Sequence, residues 1–276
     1  CLVQGDNSWK RLLIPHKRIA KDGSSMETVL SNVGNAAFND PFYGWIDNEQ
    51  IYFADRNTGI RRIGVNERNL ALSTSDAKYD YFVQNNRLEY YGNPWQYGAM
   101  NACFAKADGL WYWGKTYGGG GIFRFAESDI SPVDISRGTN PPYATIFPDE
   151  FVKSFVIDAT NQILYAVIRD KGLYAVPLTD ITANDATKTN TKAESKYLVA
   201  SFKSDSEGSV GEYVDVCQMV LDSSDGSVYF GLRAEEGSSE TSGVKRWNPT
   251  TKKLETIVSG VNVYGIALNN ELSNLF

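Results

Sequence analysis

Four bases recur at one place in the repeat of this chain. Arg56, Lys115, Arg169 and Arg233 each stand four residues after an aromatic, at positions 52, 111, 165 and 229. Upstream segments bring acids and aromatics: Asp40 and Tyr43, Trp95 and Tyr97, Asp149 and Glu150, Glu212 and Asp215, then Tyr264. Repeat symmetry would set all of them around one rim. Arginine's planar fork suits a carboxylate, phosphate or sulfate. Tyrosine and tryptophan faces suit a sugar ring or an amine. These residues are the candidates for ligand binding. The same charges also have a plainer use, in which each base pairs with the acid of the next repeat as a latch.

Other chemistries find fewer residues. Nucleophilic catalysis with a histidine base would depend on His16 alone, which reads as an exposed turn residue beside Lys17 and Arg18. Paired carboxylates remain open as a glycan-hydrolase alternative, which needs two acids about 5–9.5 Å apart. Asp40, Asp149, Glu150, Glu212 and Asp215 are the acids placed for it. A zinc site of Cys and His lacks ligands, because the chain has three cysteines and one histidine. The segment 222–225 resembles a calcium loop without its closing Glu, so no metal is expected. The run Gly118-Gly119-Gly120-Gly121 lacks the Lys-Ser/Thr ending and the following helix of a phosphate loop, and reads as a flexible connection. No cofactor is called for.

The elements that position these residues repeat about every 55 residues. Short apolar blocks alternate with Gly, Asn, Asp and Pro clusters, the mark of many short strands. First strands are expected at 42–47, 101–106, 153–158, 217–222 and 263–269, each ending in a polar hairpin. Second strands carry the aromatic: Tyr52, Trp111, Tyr165, Tyr229 and, last, Phe276. Third strands follow Gly59, Gly121, Gly172 and Gly243. Outer strands are expected at 26–30, at 78–83 or 87–91, at 130–135 or 144–147, at 197–202 and at 254–258. Segments 182–196 and 204–209 read as solvated loops.

The last unit stops after its second strand, and the N-terminus offers the missing third strand near 9–14. The expectation is therefore an all-β, five-bladed β-propeller, closed by N- and C-terminal strands sharing one blade. Closure would bury sheet edges and apolar faces that an open stack leaves exposed. Six blades are the alternative, if 70–94 hides one. Residues 1–8 would be a tether and 9–276 a single domain.

Composition narrows the class of partner. Net charge is −6, with charges of both signs interspersed, which argues against broad nucleic-acid binding. No run of about 18 apolar residues exists to span a membrane. Cys103 and Cys217 fall on first strands two units apart, as buried thiols or as a disulfide. Cys1, followed by the polar run Gln4-Gly5-Asp6-Asn7-Ser8, looks like the mature end of a bacterial lipoprotein. That reading expects lipidation at Cys1, an exported protein, and membrane contact through that anchor only.

The unit Ile51-Tyr52-Phe53-Ala54-Asp55 running to Gly59-Ile60-Arg61-Arg62-Ile63 resembles the YWTD-type repeats of lipoprotein-receptor-like propellers. It is similar also to bacterial propellers built on such a unit. The resemblance covers the second and third strands, about a third of the chain, and lacks the Trp-Thr-Asp part. It implies a propeller and no particular ligand. The expectation is a monomeric extracytoplasmic module binding a small molecule, glycan or protein at the channel mouth.

Overall fold

The computed structural model describes residues 16–19, 26–32, 41–55, 59–68, 70–71, 79–84, 104–115, 121–126, 144–148, 150–168, 171–181, 190–201, 215–233, 242–263, 265–269 and 274–275. Strands β1 (His16–Ile19) and β2 (Met26–Asn32) pair antiparallel. The first four-stranded sheet comprises β3 (Pro41–Asp47), β4 (Gln50–Asp55), β5 (Gly59–Gly64) and, beyond β6 (Leu70–Ala71), β7 (Tyr79–Gln84). The second has β8 (Phe104–Ala107), β9 (Leu110–Lys115), β10 (Gly121–Ala126) and β11 (Ala144–Ile146). The third has β12 (Val152–Asp158), β13 (Ile163–Ile168), β14 (Gly172–Pro177) and, beyond β15 (Asn190–Thr191), β16 (Leu198–Ser201). The fourth has β17 (Asp215–Leu221), β18 (Val228–Arg233), β19 (Gly243–Asn248) and β20 (Lys253–Ser259). A last hairpin pairs β21 (Leu268–Asn269) with β22 (Asn274–Leu275). No α-helix occurs among the described residues.

Period-2 alternation explains why these sheets stack. In β13, Leu164, Ala166 and Ile168 pack toward the second sheet, on Tyr112, Ile122, Ala144 and Ile146. Tyr165 and Val167 pack toward the fourth, on Val216, Phe230 and Leu232. A sheet apolar on both faces must be covered on both, so neighbours are obligatory. The innermost strand β12 touches β8 and β9 on one side and β17 on the other.

Outer strands share a register break. β7, β16 and β20 each place one extra residue, Phe82, Val199 and Ile257, two positions past the partner of the third strand's leading glycine. β2 has the same break at Val29 against β1. One residue further along, the register sets Arg62 opposite Asp80, Arg246 opposite Glu255 and Arg18 opposite Glu27. The N-terminal pair β1–β2 therefore has the geometry of a third and fourth strand. His16, expected in a turn, opens β1. The expected strand at 9–14 lies outside the described residues.

Two outer edges carry an added strand. β6 runs parallel to β2, and β15 parallel to β11. Each comes from the connection between the third and fourth strands of the following sheet. Arg68 fastens the first by an ion pair to Glu27 at 2.8 Å. The segment 182–196, expected as solvated loop, thus supplies an edge cover: Thr191 is buried, and Tyr197 is buried with its hydroxyl donating to Asp180 Oδ2 at 3.0 Å. A paired edge satisfies backbone groups that would otherwise invite association.

Candidate functional site

The two ends of the sheets differ. At one end third strands lead to fourth strands, and first strands join second strands through turns that are two residues long in the first and second sheets, with Asn48 (φ 46°), Glu49 (φ 58°) and Asp108 (φ 52°) in the left-handed region. Two-residue hairpins need that backbone, and Asn and Asp tolerate it best. At the other end lie the connections from second to third strands and from fourth to first strands. This second end is the predicted rim.

The register refines the series of bases. Tyr52, Tyr112, Tyr165 and Tyr229 oppose Arg62, Arg124, Ala175 and Arg246, three residues after each leading glycine. The equivalent aromatic of the second sheet is therefore Tyr112, where Trp111 was expected. Lys115 follows suit: it closes β9 opposite Gly121, one position before the place held by Arg56, Arg169 and Arg233. The error arose because three aromatics in a row, Trp111-Tyr112-Trp113, match the pattern in more than one register.

Besides Lys115, four predicted residues fall into pairs or strands that the structure describes. Asp215 opens β17 directly opposite Arg233, the last residue of β18. Tyr43 lies in β3 opposite Ala54. Glu150, half-buried ahead of β12, forms a charge-assisted hydrogen bond with Lys171, which donates from Nζ to Oε1. Asp40, Arg56, Trp95, Tyr97, Asp149, Arg169, Glu212, Tyr264, Cys1 and Cys103 lie outside the described residues.

The segment carrying Glu150 is pinned on three sides. Its carbonyl accepts the Gly121 N–H at 3.3 Å, and its own N–H donates to Phe147 O at 3.1 Å. Phe147 is fully buried at a left-handed φ of 55°, its ring 5.4 Å from and edge-on to Tyr174. Burial pushes the Tyr174 phenol up, Lys171 pulls it down and Glu150 adds to the rise. Lys171 was absent from the expected set, although it stands two residues past Arg169 and directly before the leading glycine. The Lys171 side chain is 45% exposed, so the pair contributes at most about 1 kcal/mol.

The latch between repeats sits at the opposite end. Lys106 Nζ lies 2.8 Å from Asp47 Oδ2 of the preceding sheet and 5.3 Å from the centroid of the Trp111 ring. The turn with the look of a calcium loop is occupied by internal bonds. Asp222 accepts from Ser224, and Asp225 accepts from the Ser227 N–H and hydroxyl and from Arg246 at 2.7 Å. No group of three metal-ligating side chains occurs among the described residues.

Asp225 couples this turn to pH. Desolvation raises its carboxyl, but the Ser227 and Arg246 hydrogen bonds outweigh it and hold the group below its ordinary 3.8. A depressed folded-state value stabilises the fold above the unfolded value, and that stability is lost as pH falls through the lowered one. Asp225→Asn should flatten the acid limb below pH 3.8. At neutral pH its cost should stay at about 1 kcal/mol, because the group is 41% exposed. Urea unfolding at neutral pH and at about pH 3 reads both effects; an unchanged acid limb would remove Asp225 as its source.

No family model matches the chain, and no curated protein matches it in sequence. Solved structures do resemble it. A Bacteroides uniformis protein described as a 6-phosphogluconolactonase aligns over 94% of this chain and 68% of its own, with TM-score 0.53 and 10% identity. The extracellular domain of a one-component system from B. thetaiotaomicron aligns over 86% of this chain, at TM-score 0.49 and 14% identity. This chain spans 26% of that domain. A quinoprotein alcohol dehydrogenase-like protein from B. thetaiotaomicron aligns over 89% of this chain and 52% of its own, at TM-score 0.47 and 16% identity. No helix among the described residues is long and apolar enough to cross a membrane. At 10% identity the first likeness bears on fold alone, and with the four-stranded antiparallel sheets it gives the architecture as all-β and propeller-type.

Proposed function

We propose that the chain is a closed five-bladed propeller that binds its ligand at the rim. The observation that carries the site is the charge gathered at one end, where Asp215 stands opposite Arg233 in register and Glu150 accepts from Lys171. The repeat-to-repeat ion pair Lys106–Asp47 lies at the opposite end. At the rim end the connection from second to third strand runs from residues 56–58 after β4 to 234–242 after β18, and variable loops on a rigid scaffold are where binding residues concentrate. Closure is supported by β1–β2, whose register break at Val29 and Arg18–Glu27 pair repeat those of β19–β20. β21–β22 would then supply the inner half of the same blade.

The rim reading joins Arg56, Arg169 and Arg233 to the acids and aromatics of the incoming segments, with Lys115 at its margin. A glycan hydrolase would have to draw both carboxylates from Asp40, Asp149, Glu212 and Asp215, because Glu150 is engaged by Lys171. A binding module needs no such pair. An exported location with lipid at Cys1 is the companion expectation, and metabolic labelling with a radioactive fatty acid tests it.

The test is a thermal-shift screen against sugars, amines, nucleotides and organic anions, with Arg169→Ala and Glu212→Ala alongside. A compound that stabilises the native chain and neither variant supports the rim site and names its ligand class. Variants that lose stability while no compound shifts the native chain would make these charges latches and overturn the reading.

A further inference from the structure

Away from the rim, the outer edges of the sheets are covered unequally. Leu30, Ile146 and Val258 hold one register position in the outer strands β2, β11 and β20. They oppose His16, Ile122 and Val244, the residues that follow Pro15, Gly121 and Gly243 at the head of the third strands. Leu30 pairs with Leu70 of β6, and Ile146 with Thr191 of β15. Under its cover Ile146 has no exposed surface, whereas Val258 is 40% exposed. Among the described residues β20 pairs with β19 alone. Ile257 is 45% exposed, and Val261 just beyond the strand 48%. Positions 256–259 are all exposed and carry no charge, so nothing on this stretch of edge repels an incoming strand.

A carboxylate repeats with the same spacing. On β2, Glu27 stands opposite Arg18 and accepts from Arg68 of the covering segment at 2.8 Å. Arg68 lies one residue removed from Leu70, so a single short segment supplies both the guanidinium and the strand pairing. On β20, Glu255 stands opposite Arg246 and in the same relation to Val258 as Glu27 to Leu30. Arg246 reaches Glu255 at 3.5 Å, and the Glu255 side chain stays 42% exposed. A carboxylate has about four lone-pair sites and can accept a second guanidinium. β20 thus offers the two features by which β2 holds its cover.

We propose that the outer edge of β20 docks an extended segment of a partner protein, of the form Arg-x-apolar, running parallel to the strand. Its arginine binds Glu255 and its apolar residue pairs beside Val258, in the register that Arg68 and Leu70 adopt on β2. Both covers inside this chain run parallel to the strand they cover, which sets the direction of the partner. In strand addition of this kind the main-chain hydrogen bonds supply affinity and the side-chain contacts supply selectivity. Here selectivity falls to one ion pair and one apolar contact. No rim residue takes part.

The probe is a fluorescently labelled peptide with the sequence of residues 66–72, Asn-Glu-Arg-Asn-Leu-Ala-Leu, titrated with the full chain and followed by anisotropy. Binding should saturate. Amide exchange at residues 256–260 of the native chain should slow with it, a readout independent of any variant's folding. Val258→Lys puts a charge on the edge and should abolish saturable binding. Glu255→Gln should weaken it by up to about fivefold, the range for an exposed ion pair. A peptide with Gln in place of its arginine should lose the same factor on the native chain and nothing further on Glu255→Gln. No saturable binding, equal binding by Val258→Lys, or slowed exchange confined to residues 26–32 would each overturn the proposal. Equal binding of the two peptides would overturn its arginine. Sedimentation of the chain alone tests the other occupant: self-association that Val258→Lys abolishes, without peptide binding, would make this edge an interface between two copies and sink the proposal.

Discussion

Gly172→Ala should cost about 3 kcal/mol or more, the sum of a left-handed backbone and an overpacked contact. Gly172 opens β14 at a φ of 146°, and a Cβ there would sit 2.1 Å from the Ala200 carbonyl oxygen of the outer strand. Gly243 repeats the arrangement in the fourth sheet, at a φ of 142° with the Val258 oxygen at 2.0 Å. Both obstacles are backbone, so neither can swing aside as a side chain would. Relief requires moving the outer strand, at the point just before its register break. Chemical denaturation of each variant measures the cost. Gly109→Ala is the control: its φ is 74°, but nothing lies within 4 Å of an added Cβ, so it should lose only the backbone part. Equal losses at Gly109 and Gly172 would mean that the close approach of the outer strand contributes nothing.

That close approach explains why the repeat was legible. A glycine that must face a carbonyl cannot be replaced, so Gly121, Gly172 and Gly243 mark third strands that begin at those residues, and Gly59 opens the equivalent strand of the first sheet. The hairpin turns were equally legible, because Asn, Asp and Gly announce left-handed backbone. Outer strands were weaker signals: β20 is largely exposed and carries little apolar alternation, and the two ambiguous ones fell at Tyr79–Gln84 and Ala144–Ile146. Where the pattern misled, symmetry had been broken locally. Pro15 precedes β1 where the other third strands open on glycine, so no leading glycine marks the strand that opens at His16. The edge-covering strand Asn190–Thr191 lies in a polar run with no periodicity, and only its partner β11 gives it a structure.

The site was less legible than the fold, for a physical reason. A rim base four residues after an aromatic is a statement about register, and register depends on pairing that one strand's sequence does not contain. Pairing reveals a second recurrent cation, inside the sheets, at Arg18, Arg62, Arg124 and Arg246. Arg124 shows its work there. It is 5% exposed and hydrogen-bonds Tyr112, whose phenol burial pushes up and the guanidinium pulls back down.

Trp111→Ala should be the most costly single truncation, at about 3–5 kcal/mol, the range for removing a buried aromatic. Trp111 has no exposed surface and lies in β9 among Trp113, Phe123 and Phe125, each 2% exposed or less. Register pairs it with Lys106 on one side and Phe125 on the other. The indole therefore has two roles, filling the core between sheets and receiving the Lys106 ammonium on its face. Magnitudes separate them. A cation over an aromatic ring contributes about 0.5–1 kcal/mol at a partly exposed site, and the Lys106–Asp47 pair at most a similar amount. Lys106→Met should accordingly lose no more than about 2 kcal/mol, well short of the tryptophan. Denaturant unfolding of both single variants and the double variant tests this. If the double variant loses the sum of the two, the ring and the ammonium act independently. If it loses no more than Trp111→Ala, Lys106 holds its place only through the ring. A Trp111→Ala loss as small as that of Lys106→Met would mean that the second sheet collapses around the missing indole, and that the apolar contact between sheets is not what holds them together.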